Sequence, residues 1–227
     1  MMILNDLLNL FFPRLCLLCQ TPLVEGEEHI CLHCSNHLPY THFTDMETNP
    51  VCLLFQGKVS FVAATALLHF TKGGSGQKLI HSLKYHGNKK LGYELGHMAA
   101  TTYRETGLFD TVDLLLPVPL HPKRMRQRGY NQSEWIAYGI RSATGIAVDI
   151  SSLSRIKKTE SQTRKQIFER SENVEDIFRL DNADALKNKH VLLLDDVITT
   201  GSTMRACAEA MKAIYGIRIS ILGIAVA

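Results

Sequence analysis

Short aliphatic runs alternate along this chain with apolar stripes of helical period. Val59–Phe70 is a nearly unbroken apolar run that predicts a buried strand, ended by Lys72-Gly73-Gly74-Ser75-Gly76. Leu79, Ile80 and Leu83 then recur at helical spacing and predict a helix over Gln77–Tyr85. Leu91–Tyr103 predicts another helix, and Asp113–Leu116 a short strand stopped by Pro117-Val118-Pro119. Trp135, Ile136 and Ile140 place an apolar stripe on a helix from Gln132 to Ala143. Thr159–Asn173 is polar and basic without a hydrophobic period and predicts an exposed loop. The chain then reads strand (Val191–Leu194), loop, helix (Thr203–Tyr215) and strand (Ile217–Ala225). Strands that are apolar on both faces and alternate with helices imply an α/β fold, a mostly parallel sheet flanked by helices.

Length and composition narrow this reading. The 227 residues suffice for one α/β domain with a small accessory module, or for two small domains. The polar, turn-rich stretch His37–Pro50 is the expected boundary, giving an N-terminal helix and cysteine module over 1–50 and the α/β domain over 51–227. A chain that is 45% hydrophobic and 21% charged is not disordered. Its net charge of +3 permits an anionic ligand without demanding nucleic acid. No apolar run is long enough to span a bilayer. Met1–Leu15 is apolar but interrupted by Asn5, Asp6 and Asn9, and it lacks the basic start and cleavage site of a secretory leader. It reads as an amphipathic helix, and the expected compartment is the cytoplasm, where thiols stay reduced.

That compartment changes how the cysteines are read. Four of the six fall as Cys16-x-x-Cys19 and Cys31-x-x-Cys34, with Pro22 and Gly26 supplying turns between the pairs. Each pair forms a knuckle, and two knuckles supply the closed sulfur tetrahedron of a structural zinc site. His29, His33 and His37 are near enough in sequence to compete as ligands. Cys52 and Cys207 stand alone, and Cys207 falls on the apolar face of its predicted helix.

The most informative stretch runs from Val191 to Thr203. Four aliphatic residues lead to Asp195 and Asp196, and Thr199-Thr200-Gly201-Ser202-Thr203 then opens a helix. Such a loop offers backbone N–H groups, hydroxyls and the positive end of a helix dipole to a phosphate. Gly201 permits close approach of the backbone. Two acids beside a phosphate loop make sense when a sugar lies between, because carboxylates accept hydrogen bonds from ribose hydroxyls. The second strand with a constrained end, Leu114–Leu120, carries Pro117-Val118-Pro119 and is followed by Lys123, Arg124, Arg126 and Arg128, then Gly129-Tyr130-Asn131-Gln132. It is either a loop for the far phosphates or a solvated basic turn. Lys84-Tyr85-His86-Gly87 is a further candidate contact, unless Lys84 merely complements the end of its helix.

Together the cysteine knuckles, Lys-Tyr-x-Gly, Pro-Val-Pro, Arg-Gly-Tyr-Asn-Gln, Gln162-Thr163-Arg164 and Asp-Asp-Val-x-Thr-Thr-Gly-Ser-Thr resemble the ComF family from Cys16 onward. The acid pair and its loop resemble the phosphoribosyl pyrophosphate signature of type I phosphoribosyltransferases. The resemblance implies that fold with an N-terminal zinc ribbon, and 5-phosphoribosyl pyrophosphate or a related nucleotide bound with magnesium. It implies catalytic roles for Asp195 and Asp196. Ligand contacts would come from Thr199 to Thr203, from Pro117, Val118 and Pro119, and from Arg126 and Arg128. Cys16, Cys19, Cys31 and Cys34 would hold zinc. A mobile hood over Gln162–Gln166 is implied, with a plain surface loop as its alternative. The family is associated with bacterial competence, so the alternative to a transferase is a non-catalytic module that binds nucleotide, single-stranded DNA or competence proteins.

Overall fold

The computed structural model describes residues 13–85, 87–156 and 178–227. Residues 1–12, most of the expected amphipathic helix, lie outside the described residues, as does the expected loop Thr159–Asn173 with its hood segment.

Five strands form one sheet in the order β1 (Ala64–His69), β7 (Arg218–Val226), β6 (His190–Ile198), β2 (Leu114–Pro117) and β3 (Ala147–Val148). Every pairing in it is parallel. β4 (Leu153–Arg155) and β5 (Phe178–Leu180) form a separate antiparallel pair. The residues of β6 explain its central place. Leu192 and Leu194 pack into one core, Val191 and Leu193 into the other, so the strand is buried on both faces.

Helices α3 (Ser75–Tyr85), α4 (Lys89–Thr102) and α6 (Gln132–Thr144) fill the first core through Leu79, Leu83, Leu91, Leu95, Ile136 and Ile140. Helix α7 (Ser202–Met211) and the β4–β5 pair cover the other face through Met204, Cys207, Met211, Leu153 and Phe178. α4 and α6 cross with backbones nearly touching. A Cβ on Gly96 would lie 2.0 Å from the Ile136 carbonyl oxygen, and one on Gly139 2.0 Å from that of Tyr93.

Short helices α1 (Leu32–Asn36), α2 (Pro50–Leu53) and α5 (Pro122–Arg128) complete the fold. The stretch before β1 runs along that strand's outer side. Thr41 N–H donates to Leu67 O, His69 N–H to Pro39 O and Ala64 N–H to Met46 O, while the Asn49 amide donates to Ala64 O. No described helix is long and apolar enough to cross a membrane.

Four expectations are corrected. β1 begins at Ala64 rather than Val59, because Lys58 and Val59 N–H both turn back onto Phe55 O. The basic run after Pro119 is helical over Pro122–Arg128, begun by proline and ended by left-handed Gly129. β6 does not stop at Leu194 but carries both acids and ends at Ile198. The helix after the Thr-Gly loop ends at Met211 rather than Tyr215.

Candidate active site and cysteine cluster

The site forms where two strands part. β6 stays in register with β7 as far as Ile198–Val226, but its pairing with β2 ends at Leu194–Pro117. Val118 N–H makes a last bond to Leu194 O at 2.8 Å, and the chain then turns away. The gap is a crevice at the carboxyl end of the sheet, and Asp195 and Asp196 stand at its floor. Gly223 pairs with Asp195, and a Cβ there would meet Ile198 at 2.8 Å, so the strands stay close beneath the acids.

Each acid is held differently. Asp196 Oδ1 lies 2.8 Å from Nζ of Lys84, at the last turn of α3. Asp195 Oδ1 accepts from the Ser133 hydroxyl at 3.2 Å and from Asp196 N–H at 2.8 Å. Burial, and then the negative charge of Asp196, push the Asp195 carboxyl up to about 7.

The first two residues of α6 and its cap build one wall. Asn131 caps the helix, its Oδ1 accepting from Ser133 N–H at 3.1 Å, while its amide donates to Val118 O at 3.0 Å and pins the Pro-Val-Pro turn. Gln132 Oε1 accepts from Arg128 at 2.9 Å. Tyr130 donates its hydroxyl to Leu83 O, tying this wall to the end of α3 beside Lys84. On the opposite side Thr200 Oγ1 and Ser202 Oγ lie 3.1 Å apart in the loop that opens α7. Gly201 is left-handed at φ 72°, with the Phe55 ring 2.9 Å from where a Cβ would sit.

The cavity between these walls measures about 310 Å³. Of the residues singled out in sequence, Val118, Pro119, Arg128, Asp195, Asp196, Thr199 and Thr203 line it. Pro117 lies buried at the end of β2, and Thr200, Gly201 and Ser202 continue the loop outside the lining. Arg126 is exposed and does not line the cavity. Arg124, Gln132, Ser133 and Arg155 line it without having been singled out as site residues, and Lys84, the further candidate contact, lines it too. Its charged lining is therefore four cations, Lys84, Arg124, Arg128 and Arg155, against two carboxylates. A larger groove of about 580 Å³ on α4 and α6 has the opposite balance, Lys90 against Glu28 and Glu94. The smaller cavity is the one suited to an anion.

At the other end of the chain the four cysteine sulfurs all lie within 4.8 Å of one another. Cys19 and Cys31 sulfurs are 3.7 Å apart, close to the ~3.8 Å edge of a zinc–sulfur tetrahedron. Cys31 N–H points at the Cys16 sulfur and Cys34 N–H at the Cys31 sulfur, both at 3.4 Å. The donor set fits a zinc ion. His29 is turned elsewhere, with Nδ1 2.8 Å from Glu94 of α4.

Residues 139–226 match the family described as "Phosphoribosyl transferase domain". "DNA utilization protein YhgH" of Salmonella typhimurium is 27% identical over 215 residues, 88% of this chain and 91% of that protein. "Competence protein ComFC" of Bacillus subtilis is 27% identical over 101 residues, 43% of this chain and 38% of that protein. The chain is similar to competence-named and DNA-utilization proteins, and it shares a phosphoribosyl transferase domain over its C-terminal part. Adenine phosphoribosyltransferase from Leishmania tarentolae is 12% identical, covering 79% of this chain and 88% of its own, at a TM-score of 0.39. The segment matched by the phosphoribosyl transferase domain runs from the middle of α6 to the end of β7, so it includes the acid pair and the loop opening α7.

Proposed function

We propose that this chain binds 5-phosphoribosyl pyrophosphate with magnesium in the cavity at the end of β6. The observation that carries the reading is the pair Asp195 and Asp196, set between the Thr-Gly-Ser-Thr loop and the pinned Pro-Val-Pro turn with its cations. The loop and the start of α7 offer N–H and hydroxyl donors to the 5-phosphate. The two carboxylates accept from the ribose hydroxyls. The turn, Lys84, Arg124 and Arg128 face the diphosphate. A ribose hydroxyl donating to Asp195 favours its ionised form, so ligand binding draws its raised pKa back down. Magnesium fits this donor set as a partner of the ligand's own oxygens, and it supplies charge neutralisation to the diphosphate.

If the chain transfers the ribosyl group, the C1–O bond breaks with its electron pair leaving on diphosphate. A nucleophile's lone pair then closes on C1 and its proton is released. The carboxylates stabilise the positive charge that develops on the ribose. The four cysteines hold a structural zinc. The names of its relatives, which speak of DNA utilization and competence, support a role in handling incoming DNA.

A second reading, a module that binds nucleotide or single-stranded DNA, draws support from a basic cleft adjoining the site. Lys84, Tyr85, Arg124, Gln127 and Arg128 line it, and the Arg128 guanidinium lies 5.5 Å from the exposed Tyr85 ring.

Calorimetric titration of zinc-loaded protein with magnesium and phosphoribosyl pyrophosphate tests these readings. Elemental analysis of the same preparation should find about one zinc per chain. Saturable binding that is lost in Asp195→Asn/Asp196→Asn is expected. No binding by the folded wild type would remove the first reading, and tight, salt-sensitive binding of single-stranded DNA alone would install the second.

A further inference from the structure

Arg155 closes β4 and reaches the cavity from the β4–β5 pair. Its guanidinium lies 5.2 Å from the ring of Phe178 on β5 and lines the cavity with Arg124, Asp195 and Thr203. Its Nε is buried without a hydrogen-bond partner, and it forms no ion pair among the described residues. Burial, and then the nearby charge of Arg124, pull its pKa down.

An arginine that merely braces a hairpin would be expected to use the carboxylate nearest to hand. On the hairpin itself Asp181 Oδ1 accepts from Arg179 at 2.6 Å, and Asp195, the acid whose charge bears on Arg155 across the cavity, forms no ion pair with it. Asp149, another described acid near this hairpin, is taken up by Ser151 and Ser152. A guanidinium carries five donors in a planar fork, and leaving them unmatched in a partly buried place is costly. A phosphoryl group is the anion whose oxygens match that fork in pairs.

We infer that Arg155 is a ligand-binding residue of this cavity, a cation from the β4–β5 hairpin that grips a phosphoryl group of the bound sugar phosphate. The inference rests on the phosphoribosyl reading above. Two phosphoryl sources are available on that ligand, the 5-phosphate and the diphosphate, and the same fork serves either.

The test pairs thermal melting with titration of wild type, Arg155→Gln and Arg155→Lys. The probes are phosphoribosyl pyrophosphate, ribose 5-phosphate and pyrophosphate, each with magnesium. Ligand-free Arg155→Gln should melt at or above the wild-type temperature, because it loses an unpaired cation. Its affinity for phosphoribosyl pyrophosphate should fall about 10- to 100-fold, the worth of one charge-assisted contact. Arg155→Lys, with the charge but not the fork, should fall between. A matching loss for ribose 5-phosphate assigns Arg155 to the 5-phosphate, and a matching loss for pyrophosphate assigns it to the diphosphate. Wild-type affinity in Arg155→Gln, with or without a lower melting temperature, would make Arg155 a packing residue and overturn the inference alone. A wild type that binds none of the three probes removes the phosphoribosyl reading and this inference with it.

Discussion

With its carboxyl lifted to about 7, Asp195 couples the stability of the fold to pH. The unfolded chain ionises an aspartate near ~3.9, so between about pH 4 and 7 the folded state binds a proton that the unfolded state has lost. The stabilising contribution is complete below that window and is lost as pH rises through it. Asp195→Asn is uncharged, of the same shape, and keeps an acceptor for Ser133 and for Asp196 N–H. It should melt a few degrees above wild type at pH 8, with the gap closing toward pH 4, and melting curves across that range check it. A constant gap would mean that ionisation is not the cause. At this scale the acids were legible because two carboxylates after an aliphatic strand are rare without a use. Lys84 was ambiguous, since a lysine in the last turn of a helix has a sufficient reason to be there. Arg155 gave no signal: it belongs to no motif, and only its missing partner in the folded chain marks it.

At the scale of elements, the site depends on how closely two helices lie. α6 delivers Asn131 and Ser133 to the cavity, and its position is set by the glycines that let it touch α4. Gly96→Ala would push a methyl into the Ile136 carbonyl. Overpacking of this kind costs about 1–3 kcal/mol, and each kcal/mol lowers the melting temperature of a chain this long by about 2–4 °C. The variant should therefore melt several degrees lower, and a matched Gly92→Ala, whose nearest neighbours at 3.0 and 3.1 Å are side chains, should be milder. Helices α4 and α6 could be read from their apolar stripes, but their intimacy could not, because glycine spacing carries no period of its own. The helix α5 was missed for a related reason. It is too polar to show a stripe, and only Pro122 and Gly129 announce its ends. β6 was read too short because charged residues look like the end of a strand, yet here the strand carries them into the site.

At the scale of the molecule, an aliphatic strand pattern interleaved with helices was enough to give the parallel sheet. The strand order was not legible, since it depends on which edges meet in three dimensions. Nor was the way Cys16, Ile30, Cys31 and Leu38 of the cysteine region join the same core as α4 and α6. The stretch from Pro39 to Asn49 bears on how the chain behaves in solution. β1 is the last strand on its side, and these residues occupy the backbone groups of Ala64, Leu67 and His69 that would otherwise face outward. A chain trimmed to begin at Pro50 would present a bare, mostly aliphatic margin able to recruit a strand from a neighbour. Such a truncation should form concentration-dependent aggregates by light scattering at concentrations where the longer chain stays dispersed. A monodisperse fragment would show that the margin is harmless. The cysteine region would then serve, besides clustering its four thiols, as a guard that keeps one copy of the sheet from growing onto the next.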